Sequence, residues 1–380
     1  MKIGINAQLL SFRANYRQAG VSKYIRALIE QYAAIHHDNQ YTVWVPPAPR
    51  PSDYAHAANI RFVASRLPTE KPQLRIPWEQ VVLPFVSRRL DVLHCPVNIR
   101  PLVAFCPTVV TIHDLIYLVY PDKYLPAKRR YLTATTGWSV RHASQVIAVS
   151  ESTKRDIVRL LHVSPAKVTV VYNGVDERFR PIADKEAIAG FKRKHNLPAR
   201  FILYVGTIEP RKNVGLLLRA FAQLRQQPDF ADLRLVIGGA KGWLYDDIFK
   251  QAGLSEGEIV FPGYLADDEL PLWYNSASVF VYPSLYEGFG LPAAEALACG
   301  VPVIAANTSS LPEVVGDAGI LVAPDDVRGL AGAAARILSD DAYAAHLRAA
   351  AIVQGTRFSW RTAAEQTLQV YAAAAGNRKH

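Results

Sequence analysis

With 380 residues, 50% of them hydrophobic and 20% charged, the chain is long enough for two domains of ordinary size and needs no disulfide or metal staple. No apolar run approaches the ~20 residues of a membrane-spanning helix. The opening Met1-Lys2-Ile3-Gly4-Ile5 enters a strand pattern with no secretory leader, and Cys95, Cys106 and Cys299 leave one thiol over in any disulfide scheme. A reducing cytoplasm is therefore the expected location. The net charge of +10 is uneven, because residues 1–183 hold 24 Lys and Arg against 12 Asp and Glu, and the remainder 19 against 21. That asymmetry turns the first half toward something anionic. No nucleic-acid reader motif accompanies it, so the expected partner is an anionic membrane face or a phosphorylated acceptor.

In chain order, apolar β-branched runs alternate with helical patterns, as in parallel sheets built from βαβ units. Strands are expected at 3–7, 41–45, 60–63, 92–95, 108–112, 145–149 and 168–172, then at 201–205, 233–237, 258–261, 279–282, 302–305 and 319–322. A polar loop at 15–20 precedes a helix expected from 21 to about 32. The turn-rich segment Asn173-Gly174-Val175-Asp176-Glu177-Arg178-Phe179-Arg180-Pro181 reads as a linker. The expected fold class is α/β: two doubly wound, Rossmann-like domains, 1–180 and 181–357, facing a central cleft. Spacing at Trp360, Ala364, Leu368 and Tyr371 predicts a final helix within 358–380, fraying from Gly376 onward. Ligands of such sheets bind beyond the carboxyl ends of the strands.

The most informative string is Glu287-Gly288-Phe289-Gly290-Leu291-Pro292-Ala293-Ala294-Glu295, where a strand hands over to a short helix. Pro292 suits the first helical position and Gly300 the close of the helix. The amides of Gly290 and Leu291 then sit at a helix N-terminus, where unpaired donors and the dipole favour an anion such as phosphate. Carboxylates flanking a phosphate-binding turn cannot ligate the phosphate. They suit hydroxyls on either side of it, a sugar and a ribose, which calls for a sugar nucleotide. A solvated first-turn acid is the plainer reading of either Glu alone, and a glycosidase pair leaves the Gly-rich turn unexplained.

Arg211 and Lys212 follow the strand at 201–205 and can hold a pyrophosphate, Lys as a point charge and Arg as a fork. Gly20 permits close approach of backbone to a ligand before its helix. His113 follows a strand at its carboxyl end, whereas His94 and His142 read as structural. Asp267-Asp268-Glu269 opens a helix and Asp325-Asp326 lies in a turn, so no metal is expected.

The string Glu287 to Glu295 resembles the E-x7-E signature of the family 4 glycosyltransferases, retaining enzymes of the GT-B fold. The resemblance extends to Tyr204-Val205-Gly206-Thr207-Ile208-Glu209-Pro210-Arg211-Lys212-Asn213, to Val171-Tyr172-Asn173-Gly174-Val175-Asp176, and to Leu311-Pro312-Glu313-Val314-Val315-Gly316-Asp317-Ala318-Gly319. It is strongest toward bacterial mannosyl- and rhamnosyltransferases of surface polysaccharide assembly. It implies a hexosyltransferase with a nucleotide-sugar donor, GDP-mannose or a UDP-sugar, no further cofactor, and a hydroxyl acceptor such as a lipid-linked saccharide. Glu287 and His113 would then stand at the reacting sugar, with Gly20, Arg211, Lys212, Phe289, Gly290, Leu291 and Glu295 on the donor. It also implies a terminal helix packed back on the first domain. Thr207 stands where many members carry arginine, and Ala19-Gly20 where two glycines are usual. A sugar-nucleotide epimerase of similar fold and a catalytically silent binding subunit are the alternatives.

Overall fold

In the computed structural model of the protein, the described residues are 1–11, 20–35, 38–47, 57–239 and 257–376. Most of the polar loop at 15–20 and the tail beyond 376 lie outside them. Two compact units emerge, Met1–Gly174 with Trp360–His380, and Val175–Ser359. The sequence boundary at 180/181 falls inside the second unit.

The sheet of the first unit has the order β3-β2-β1-β4-β5-β6-β7. Its strands are β1 Lys2–Asn6, β2 Gln40–Val45, β3 Ile60–Ala64, β4 Val92–Cys95, β5 Thr108–Ile112, β6 Gln145–Ala148 and β7 Val168–Val170. All neighbours pair in parallel. Val92–Cys95 and Thr108–Ile112 are buried along their whole length, which is why they read as unbroken apolar runs instead of alternating ones. The second sheet runs β10-β9-β8-β11-β12-β13, also parallel. It comprises β8 Phe201–Val205, β9 Arg234–Gly238, β10 Ile259–Gly263, β11 Val279–Tyr282, β12 Val303–Ala306 and β13 Ile320–Val322. In each sheet the order reverses once, between β1 and β4 and between β8 and β11. Such switch points open a crevice beyond the strand ends.

The final helix, Trp360–Gly376, belongs to the first unit. A buried hydrogen-bonded chain anchors it. The Tyr32 hydroxyl donates to Tyr371 at 3.1 Å, and the Tyr371 hydroxyl shares a hydrogen bond with His94 Nδ1 at 2.6 Å. His94 Nε2 then bonds Thr111 Oγ1 at 2.8 Å, and Tyr24 meets the same hydroxyl at 3.1 Å. A neutral imidazole fits this chain, one ring nitrogen donating and the other accepting. Burial supplies it by lowering the His94 pKa to about 3. The structural reading of His94 is thereby given a cause.

Candidate active site

The carboxyl end of β8 leads through Gly206 into a single 3-10 turn, Pro210–Lys212. Asn213 then takes a left-handed conformation, φ 54°, and starts the helix Val214–Arg225. Its Nδ2 donates to the Pro324 carbonyl at 2.8 Å, fixing the turn. On the neighbouring strand, β11 ends at Tyr282, and Leu285 N–H donates to the Arg211 carbonyl at 2.8 Å. The two loops are tied together where the strand order reverses.

Lys212 and Glu287 meet there. Lys212 Nζ lies 2.6 Å from Glu287 Oε1 and donates to the Tyr282 hydroxyl at 2.7 Å. Those bonds use two of the three ammonium N–H groups. The Tyr282 hydroxyl in turn donates to Glu287 Oε1 at 3.0 Å. Arg211 Nη1 lies 3.1 Å from Glu287 Oε2 and donates to the Tyr286 carbonyl at 2.9 Å, while its Nη2 reaches Glu209 Oε1 at 2.6 Å. Lys212 and Glu287 are both buried.

Burial alone would raise the Glu287 pKa, but Lys212 and Arg211 outweigh it and hold the carboxyl at about 2. Burial lowers Lys212 despite the carboxylate beside it, and burial followed by Glu287 keeps the Tyr282 phenol well above its usual value. At neutral pH the cluster is an ionised carboxylate held by two cations and one phenol. Arg211 and Lys212 are offset by Glu209 and Glu287, a balance the sequence reading did not contain.

The chain from Glu287 to Glu295 is held from behind. Glu287 N–H donates to Ser309 Oγ at 2.9 Å, and Ser310 Oγ donates to the carbonyls of Glu287 at 3.0 Å and Phe289 at 2.8 Å. Gly290 has φ 102°, and a Cβ there would sit 2.9 Å from Leu311 Cδ2. Glycine is needed both for its angle and for its space. The helix is Leu291–Ala298, so Leu291 is its first residue and Pro292 its second, and Gly300 follows with φ 71°. Phe289 is buried with its ring edge-on to Phe358 at 5.3 Å, so its side chain is a packing element of this turn. Glu295 is buried on the helix, where its Oε2 accepts from the Tyr274 hydroxyl at 3.1 Å. Glu313 falls in the first turn of the helix Leu311–Val315.

Gly20 and His113 belong to the first unit. Gly20, φ 61°, caps the helix Val21–Ala34, and among the described residues, its chain neighbours aside, no atom lies within 4 Å of a Cβ built on it. His113 rests edge-on against Tyr24 of that helix at 4.9 Å. Its Nε2–H donates to the Pro96 carbonyl at 2.7 Å, and its amide donates to Asn98 Oδ1 at 3.2 Å. Burial lowers its pKa to about 4, only partly opposed by the Pro96 carbonyl. A neutral ring with Nε2 as donor presents Nδ1 as an acceptor; such a group binds a hydroxyl but is not charged at pH 7.

Tyr282, Tyr274, Glu209, Ser309 and Ser310 escaped the sequence reading. Tyr282 ends a strand five residues before Glu287 and Glu209 lies two before Arg211, both usable signals; the others are brought in by tertiary packing. Thr207 is exposed, and its carbonyl accepts from Tyr204 at 3.2 Å. Among the described residues no group of three or more His, Cys, Asp or Glu gathers as a metal set would. No helix there is long and apolar enough to cross a membrane.

Residues 199–340 match the family model described as "Glycosyl transferases group 1", and residues 19–179 match "Glycosyltransferase Family 4". The chain is similar to the O-antigen chain mannosyltransferase B of Escherichia coli, 34% identical over 69% of this chain and 69% of that protein. It is also 32% identical to the serotype-specific mannosyltransferase WbdA of the same organism, over 69% of this chain but only 33% of that longer protein. In structure it is similar to Anabaena Alr3699/HepE in complex with UDP and glucose, with a TM-score of 0.75 and 20% identity over 98% of this chain and 99% of that one. The two parallel sheets are those of the GT-B fold, and nothing in these relatives favours an epimerase. The chain belongs to glycosyltransferase family 4 and is a hexosyltransferase.

Proposed function

We propose that the chain is a retaining mannosyltransferase that moves mannose from GDP-mannose to a hydroxyl of a saccharide acceptor, of the kind found in lipid-linked polysaccharide precursors. The observation that carries this reading is the buried Lys212–Glu287 pair at the switch point of the second sheet, beside the helix N-terminus at Leu291. The relatives named as mannosyltransferases support mannose as the sugar, and GDP is proposed as the nucleotide to go with it.

In this reading Glu287, fixed as a carboxylate by Lys212, Arg211 and Tyr282, accepts from sugar hydroxyls next to the reacting carbon. Glu295 accepts from ribose hydroxyls. Lys212, Arg211 and the amides of Gly290 and Leu291 face the diphosphate, whose negative charge grows as the glycosidic bond breaks, so their contribution falls on the transition state. His113 offers Nδ1 to a sugar hydroxyl, and Gly20 a close backbone approach. The acceptor oxygen attacks on the face the diphosphate leaves, and the leaving phosphate oxygen takes its proton. The bond to the anomeric carbon is thus exchanged with retention, without a protein nucleophile and without a metal.

The first unit would meet an anionic membrane at the inner face of the cytoplasmic membrane. Leu125, 76% exposed, precedes the helix Pro126–His142, on which Lys128, Arg130 and Tyr131 are exposed.

The test is transfer of labelled mannose from GDP-mannose to a lipid extract, with a thermal-shift panel of GDP, UDP and ADP beside it. Glycosylated lipid and stabilisation by GDP are expected, both unaffected by EDTA. Stabilisation by UDP but not GDP would overturn the donor, release of an epimerised nucleotide sugar would overturn the reaction, and loss of activity in EDTA restored by magnesium or manganese would overturn the metal-free mechanism.

A further inference from the structure

Each carboxylate of the string from Glu287 to Glu295 has a buried tyrosine beside it. Glu287 accepts from the Tyr282 hydroxyl and also meets two cations. Glu295 accepts at Oε2 from the Tyr274 hydroxyl, at 3.1 Å. A glutamate side chain has three rotatable bonds, so a helical backbone alone does not set where its carboxylate points.

Tyr274 is held on every side. It lies on the helix Leu270–Ser276 and is 0% exposed. Its ring is edge-on to Phe280 of β11 at 5.3 Å and to Phe179 at 5.9 Å. The next residue secures the helix: Asn275 Oδ1 accepts from the Ile182 amide at 2.8 Å, and its Nδ2 donates to the Arg180 carbonyl at 3.0 Å. Burial, and then the charge of Glu295, raise the phenol well above its usual range. The hydroxyl therefore keeps its proton at neutral pH and acts as a donor.

Packing does not call for that oxygen, since phenylalanine would fill the same gap between Phe179 and Phe280. Stability does not call for the pair either. Replacing both partners of a buried hydrogen bond by apolar groups of the same shape can be nearly neutral or stabilising. What the bond does supply is direction. An ionised carboxylate offers about four acceptor positions, of which Tyr274 takes one and a ribose 2′,3′-diol would take two.

We infer that Tyr274 is a positioning residue of the donor site, holding the Glu295 carboxylate at the angle from which it meets the ribose diol. This rests on the reading of Glu295 as the ribose contact. Enclosed as it is, Tyr274 cannot touch a nucleotide. It acts through Glu295, by removing orientations that an untethered carboxylate would sample before binding. Its loss costs affinity for the hydroxyls and leaves contacts to diphosphate and base as they are.

The experiment is isothermal titration calorimetry on the full chain with GDP, UDP and the 2′-deoxy and 3′-deoxy forms of each. Tyr274→Phe and Glu295→Ala are compared with wild type, and thermal midpoints are taken on the same samples. Wild type should bind one ribonucleotide about tenfold or more tighter than its deoxy forms. In Tyr274→Phe that preference should shrink to about threefold or less, through weaker binding of the ribonucleotide alone. In steady-state transfer the loss should fall on the KM for the donor and not on kcat. Equal weakening of ribo and deoxy forms would make Tyr274 a packing residue and overturn the inference. A folded variant that keeps the full wild-type preference would do the same. In both cases loss of the preference in Glu295→Ala would leave the ribose contact standing. Wild type that binds no nucleotide, or binds ribo and deoxy forms equally, overturns the ribose reading and the inference with it.

Discussion

At the switch point of the second sheet a carboxylate meets two cations and a phenol; at that of the first, Glu79 meets an amide and a guanidinium held 3.9 Å away. The folds around them are alike in strand order, so the contrast comes from which side chains the adjoining loops contribute. After β8 a tight turn places two adjacent cations beside the strand end. After β1 the facing element is a proline-bent helix that offers one acid. The first arrangement keeps a buried carboxylate ionised. The second raises a carboxyl pKa and ties the carboxylate to an amide. A like strand order around the two switch points thus accommodates two different carboxylate environments.

The largest expected effect tests this difference directly. Lys212→Met leaves Glu287 buried with one cation fewer, which should destabilise the second unit by about 3 kcal/mol in urea unfolding and abolish transfer. Adding Glu287→Gln should restore much of that stability but not activity. Glu79→Gln should cost about 1 kcal/mol or less, because no tightly bonded cation loses its partner. Equal costs at the two positions would erase the comparison.

Donor kinetics come next. Glu295→Ala should weaken donor binding by about 1–3 kcal/mol, read as a shift in GDP-mannose affinity. Glu287→Gln should instead lower kcat at saturating donor, as expected for a contact felt mainly in the transition state. Wild-type kinetics in both variants would remove these residues from the site.

Acid should separate the two units. His94 and His113 titrate at about 3 and about 4 when folded, against 6.5. The unfolded rings take protons the folded ones refuse, so the stability they contribute to the first unit is lost as pH falls from 6.5 toward about 4 for His113 and about 3 for His94. Glu79, raised instead, offsets part of this loss. Glu287 contributes stability above 4.5 that is lost only as pH falls toward about 2. Hydrogen exchange corrected for intrinsic rates should show the first unit losing protection at higher pH; the reverse order would contradict the assignment.

The smallest effect concerns the outer surface of the first unit. Lys128→Ala with Arg130→Ala should weaken co-sedimentation with anionic vesicles by about 1 kcal/mol per residue and leave neutral vesicles unaffected. A second candidate surface joins Val81, Val82, Phe85 and Val86 to Leu102, Val103 and Phe105, all exposed, with Phe85 and Phe105 rings 5.5 Å apart. Unchanged binding of the Lys128, Arg130 variant together with loss in Phe85→Ser would move the contact there.

Much of this architecture was legible because parallel strands buried on both faces announce themselves as apolar runs. Every expected strand is present, with ends shifted by a residue or two: 168–172, for example, stops at Val170, where pairing with β6 ends. The turn at Gly290 was legible as well, since glycine and proline act locally on backbone angles. What escaped were contacts between residues distant in sequence. Asn6 and Glu79 are 73 positions apart, and Tyr274 and Glu295 are 21 apart. No local pattern encodes such pairings. Likewise Arg211 and Lys212 were readable as phosphate ligands, but their occupation by Glu209 and Glu287 was not.

The anchoring of Tyr371 also bears on how the protein is made. The second unit is one continuous stretch, Val175–Ser359, whereas the first needs the helix Trp360–Gly376 to supply Tyr371 to Tyr32 and His94. During synthesis domains ordinarily fold from the N-terminus onward. Here the order is inverted. The part translated first must wait for this late helix to leave the ribosome, while the part translated later already has all its strands. A released chain ending at Ser359 would therefore present a complete second unit behind an incomplete first one, with β4, β5 and β6 lacking the helix that packs on them.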